Sequence, residues 1–61
     1  ASMTEIRLLF LLGELNRKLE KTDKAIIYFS EVIQHKDRHL EPSIVDRARE
    51  QWQLIREKRN D

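Results

Sequence analysis

Gly13 and Pro42 are the only glycine and the only proline in 61 residues, and this scarcity restricts the fold more than any other feature. Tight turns between strands draw on Gly, Pro and Asn for backbone angles that other residues resist, so a multi-stranded sheet would have almost nowhere to turn. Helix interiors need no such punctuation. With 39% hydrophobic and 38% charged residues, the chain is also too apolar for a disordered tail. An all-α fold in a single small domain is expected. A chain of this length hides only about 60% of its unfolded surface, so further burial against a partner or a flanking segment is expected as well. The chain has no cysteine, which excludes disulfides and thiolate zinc sites and suits a reducing compartment such as the cytoplasm.

The apolar periodicity predicts three helices. The first runs from about Thr4 to Lys21, with Thr4 as N-cap and Glu5 in the first turn. Leu8, Leu12, Leu15 and Leu19 form its main stripe, flanked by Leu9 and Leu11, and Ile6 and Phe10 lie on another face. This helix is apolar around more of its circumference than one neighbour would cover. Thr22 is expected to cap the second helix, whose stripe is Ala25, Ile26, Phe29, Val32 and Ile33. The short joint at Glu20 to Thr22 predicts an antiparallel αα-hairpin. His35 to Glu41 reads as a loop, and Pro42 as a first-turn residue of the third helix, with Ser43 and Asp46 in a capping-box-like start. Ile44, Val45, Ala48, Trp52 and Ile55 share a face of that helix, and Arg56, Lys58 and Arg59 crowd its end. Ala1, Ser2 and Met3 are set aside as an expression scar, leaving residues 4–61 as one helical module, a fragment of a longer chain.

Charge argues against two partner classes. Twelve Lys and Arg face eleven Asp and Glu, five against four over residues 1–30 and seven against seven over residues 31–61. Nucleic acids and anionic membranes are recognised through clustered positive charge, and here the carboxylates are interleaved with the bases. The longest apolar run, Leu8 to Leu12, falls far short of the roughly 20 residues that span a bilayer.

The spacing of Leu12 and Gly13, then Ala25 twelve residues after the glycine and Phe29 four residues later, resembles the tetratricopeptide (TPR) hairpin. Leu9, Asn16 and Val32 stand where that repeat commonly has Trp, Tyr and a small residue, and Asp37 replaces its closing Pro. The resemblance covers residues 8–37 and implies a protein-interaction module, a TPR-like hairpin with the third helix as a cap. The concave, ligand-facing side it implies carries Arg7, Phe10, Glu14, Arg17 and Lys18, and the helix-packing positions are Leu12, Gly13, Ala25 and Phe29, with Trp52 closing the open side. Phe10 beside cations would suit a peptide carrying a carboxylate, or Phe10 could pack against a neighbouring repeat. A closer likeness involves LLGELNRKLEKTDKAIIYFSEVI and AREQWQLIRE. These stretches resemble the C-terminal helical region of a family of uncharacterised bacterial proteins, common in spore-formers, that carry a zinc-ribbon-like part upstream. That likeness implies no catalytic residue.

Physical chemistry leaves several residues with two readings. An interior helical glycine costs about 1 kcal/mol relative to alanine, so Gly13 either lets another helix approach closely or is a tolerated solvent-facing defect. His35 and His39 are four apart with Asp37 and Glu41 nearby, a spacing that could place two imidazoles on a metal, yet they fall in a loop without a third evident ligand. Solvated loop histidines are the expectation, with no metal and no cofactor. Trp52 is expected in the core, the alternative being a stacking platform. Ile27 is either a lone exposed residue or a contact with another chain. Ser30 and Ser43 lack partners for nucleophilic catalysis, so no enzymatic activity is expected. QWQLIREKR resembles the third helix of a homeodomain, which makes a small three-helix DNA-binding domain the alternative function, although its base-reading Asn is absent. The expected partner is a protein or peptide. It is either a second copy, giving a homodimer through Ile6, Phe10 and Leu11, or a flanking segment of the parent chain.

Overall fold

The computed structural model describes residues 2–59. Ala1, the first of the three residues set aside above, lies outside the described residues, as do Asn60 and Asp61. Three helices follow one another: α1 (Ser2–Lys18), α2 (Thr22–Ile33) and α3 (Pro42–Arg59), with one turn of 3-10 helix at Arg38–Leu40 in the second connection. Among the described residues there is no strand, and the fold is all-α.

The joint between α1 and α2 is three residues long, which leaves the second helix no course but back along the first. Its geometry was not visible in the sequence. Glu20 adopts a left-handed backbone with φ of 61°. The Glu20 N–H donates to the Arg17 carbonyl at 3.0 Å, and the Lys21 N–H to the Asn16 carbonyl at 2.8 Å. These paired bonds form a Schellman motif, built on a glutamate where glycine is the usual occupant. Two expected caps are displaced. Helix α1 begins at Ser2, so Thr4 lies within it. Thr22 is the first residue of α2 rather than its cap, and Lys21 takes the N-cap position with no side-chain bond. At α3, Pro42 opens the helix, where its missing N–H costs nothing. The Glu41 carbonyl accepts the Val45 N–H at 3.0 Å, so Glu41 is the cap and Ser43 is already helical. Asp46 meets Arg49 at 3.5 Å.

Helix α2 lies between the other two. Trp52 in α3 reaches Ser30 in α2, and Arg47 near the start of α3 lies over Phe10 in α1. The end of α3 (Leu54, Ile55, Lys58) borders the end of α1 and start of α2 (Arg17, Glu20, Thr22). These contacts make α3 parallel to α1 and antiparallel to α2, in a body of 36 × 18 × 15 Å. The core comprises Ile6, Ala25, Phe29, Val32, Val45, Ala48 and Ile55, with Leu9, Phe10, Ile26, Ile33, Ile44 and Trp52 packed around it. The expected faces of α2 and α3 therefore point inward.

Helix α1 is turned the other way. Its leucine stripe was expected to face the core, yet Leu8, Leu12, Leu15 and Leu19 are between 38% and 57% exposed, as is Leu11 at 62%, which was expected on the surplus face. Ile6, expected on a surplus face, is fully buried. The reason lies at Gly13. A Cβ built there would stand 2.6 Å from Phe29 Cε1 and 2.8 Å from Cδ1, closer than carbon atoms tolerate. The two helices thus meet on the side of α1 that carries Gly13, Ile6, Leu9 and Phe10. At 100° per residue the leucine stripe sits nearly opposite that side. Periodicity recognises both faces as apolar and cannot choose between them; the close approach chooses.

Candidate interaction surface

The five leucines rest on a regular helix anchored from behind. Glu5 in the first turn, and Arg17 and Lys18 in the last, complement the dipole of α1. Burying a leucine side chain is worth about 1.5–3 kcal/mol. Five leucines left roughly half in water forgo on the order of 5 kcal/mol, as much as a small core supplies in total. A contiguous apolar face of that kind is a candidate interaction surface. Among the described residues the other exposed large apolar side chains are Met3, near the start of α1 and off the leucine stripe, and Ile27, Leu40 and Leu54 on separate elements.

The residues of the concave side are largely engaged within the chain. Arg7 donates through Nε to Glu41 Oε1 at 2.9 Å, with a second nitrogen of the guanidinium 2.7 Å from the same oxygen, a link from α1 to the start of α3. Arg17 pairs with Glu14 on its own helix at 2.8 Å. Phe10 is partly buried, its ring centroid 5.7 Å from that of Phe29 and capped by the Arg47 guanidinium at 5.2 Å. Lys18 is exposed. Of the packing positions, Gly13, Ala25 and Phe29 are buried, whereas Leu12 belongs to the exposed stripe.

Trp52 is half-buried against the core and its indole N–H donates to Ser30 Oγ at 2.9 Å, while Arg56 covers its ring at 4.8 Å. That stack leaves a partly covered face rather than an open platform. His35 is held at both nitrogens. The Asp37 N–H donates to Nδ1 at 3.0 Å, so the ring proton sits on Nε2 and is donated to Glu5 Oε1 at 2.9 Å. His39 is exposed on the 3-10 turn, and among the described residues no group of three or more His, Cys, Asp or Glu is arranged around a common point for a metal. A cleft of about 590 Å³ between the ends of α1 and α3 is lined by Arg17, Glu20, Gln51, Leu54 and Lys58 among others. Among the described residues its lining holds one carboxylate and no histidine, and so no carboxyl or imidazole pair for acid–base work.

Sequence reasoning missed the links Arg7 to Glu41, His35 to Glu5 and Trp52 to Ser30. Their partners lie 34, 30 and 22 residues apart, and no local pattern joins them. It also misplaced the exposed face, although an all-leucine stripe opposite a lone interior glycine carries that signal.

Among the described residues, no helix is long and apolar enough to cross a membrane. No curated protein and no solved structure matches the sequence. A family model described as an uncharacterised protein conserved in bacteria, DUF2225, matches residues 1–55. The match covers most of the chain, so the chain belongs to this bacterial family of uncharacterised proteins.

Proposed function

We propose that this chain is a non-catalytic, TPR-like protein–protein interaction module of the bacterial cytoplasm, and that it binds through the leucine face of α1. The single observation that carries the reading is the exposed stripe Leu8, Leu11, Leu12, Leu15 and Leu19 on a helix whose opposite side is already packed. The TPR-like part is supported by Gly13, Ala25 and Phe29, which meet where that repeat brings its two helices together. The binding surface differs from the concave side that the repeat implies, because Arg7, Phe10, Glu14 and Arg17 are already occupied with Glu41, Phe29, Arg47 and one another. The partner is a protein element with an apolar stripe of its own, either a helix of another chain or a flanking segment of the parent protein. Site-specific photocrosslinking in cells tests the reading, with benzoylphenylalanine placed at Leu11 and, as a control, at exposed Gln53 on α3. Crosslinked protein from position 11 and little from position 53 is the expected result. Equal yields from both, or none from position 11, would overturn it.

A further inference from the structure

The geometry points to a second copy of this chain as the partner, bound antiparallel along α1. This inference rests on the interaction reading above and adds the occupant and its orientation. Leu8, Leu12, Leu15 and Leu19 are separated by four, three and four residues, the 3.5-residue repeat of a two-helix seam. The same series reads identically in reverse. A two-fold axis through the level between Leu12 and Leu15 therefore sets Leu8 against Leu19 of the second copy and Leu12 against Leu15, leucine on leucine at every layer. An isologous dimer requires that self-complementarity.

Two further observations favour a copy in this orientation. Among the described residues the remaining exposed large apolar side chains, Met3, Ile27, Leu40 and Leu54, stand off this stripe and form no second one, so a copy of the chain meets it best with its own α1. Charge selects the direction. Arg17 and Lys18 occupy the last turn of α1 and Glu5 the first. Arg17 is held by Glu14 and Glu5 by His35, so Lys18 and the helix dipoles set the preference. Parallel pairing would put the two Lys18 side chains and the two aligned dipoles side by side, whereas antiparallel pairing opposes the dipoles and turns each Lys18 toward the first turn of the other copy. The approach is open, because α2 packs on the opposite side of α1 through Gly13 and Phe29.

Sedimentation equilibrium and thiol crosslinking together test the inference. The protein should be dimeric at high micromolar concentration, and Leu12→Glu and Leu15→Glu should each be monomeric with helical circular dichroism retained. The chain has no cysteine of its own, so introduced thiols report cleanly. An equimolar mixture of Leu8→Cys and Leu19→Cys, oxidised with glutathione disulfide, should give a linked heterodimer. Leu8→Cys alone should stay unlinked, since its two copies would lie about 16 Å apart along the seam, beyond the reach of a disulfide. A protein that is monomeric at several hundred micromolar overturns the pairing and leaves the interaction reading to a foreign partner. A dimer that survives both glutamate variants, or one that links Leu8→Cys to itself, overturns the proposed seam or its direction.

Discussion

Gly13 faces an aromatic ring that leaves no room for a methyl group. Alanine is the better helix former by about 1 kcal/mol, so at an open site Gly13→Ala would stabilise the protein. Here the new Cβ would meet Phe29 Cε1 at 2.6 Å, and the ring is fully buried, so it can shift only against its neighbours. Overpacking of this kind costs about 1–3 kcal/mol and should outweigh the propensity gain. Thermal denaturation is expected to show a lower Tm for Gly13→Ala and a much lower one for Gly13→Leu; a raised Tm for the alanine variant would contradict the close approach. Glu20 presents the reverse case. Its left-handed backbone costs a residue with a Cβ about 1–2 kcal/mol, and glycine returns about half of that through the freedom of the unfolded chain. Glu20→Gly should raise stability by roughly 0.5–1 kcal/mol, measured by urea denaturation. No gain, or a loss, would mean the Glu20 side chain supports the turn.

The three helices were legible in the sequence because each carries a stripe with the α-helical period and the connections between them are marked by charged residues or Pro42. What could not be read was the orientation of α1. Ile6 with Phe10, and Leu8 with Leu12, are each four residues apart, and spacing alone makes either pair a core face. The choice depends on the Gly13 to Phe29 contact across 16 residues of sequence. The cap residues were misread for a related reason, since Thr4, Thr22 and Ser43 are all suitable side chains and the backbone starts its helices elsewhere. At this scale the two faces of α1 should behave differently. Ile6→Ala opens a cavity in the buried cluster and should cost about 2–5 kcal/mol, a large part of what a domain of this size has. Leu11→Ala removes a side chain that is 62% exposed and should change the denaturation midpoint little when measured at low micromolar concentration. Equal losses from the two substitutions would contradict the assigned orientation.

The whole molecule divides its apolar side chains between two tasks. One small buried core holds the three helices together, and the leucine face of α1 lies outside it. The long-range polar links fit this division, because the Arg7 to Glu41 and His35 to Glu5 bonds tie the start of α1 to the loop and α3 without using the leucine face. If the leucines serve association, they are dispensable for folding. The most direct test is the double variant Leu12→Glu/Leu15→Glu, followed by circular dichroism during thermal denaturation. The double variant is expected to remain helical and to melt in one cooperative transition. A variant that has lost its helical signal at room temperature would show that the leucine stripe holds the core, and would contradict the account.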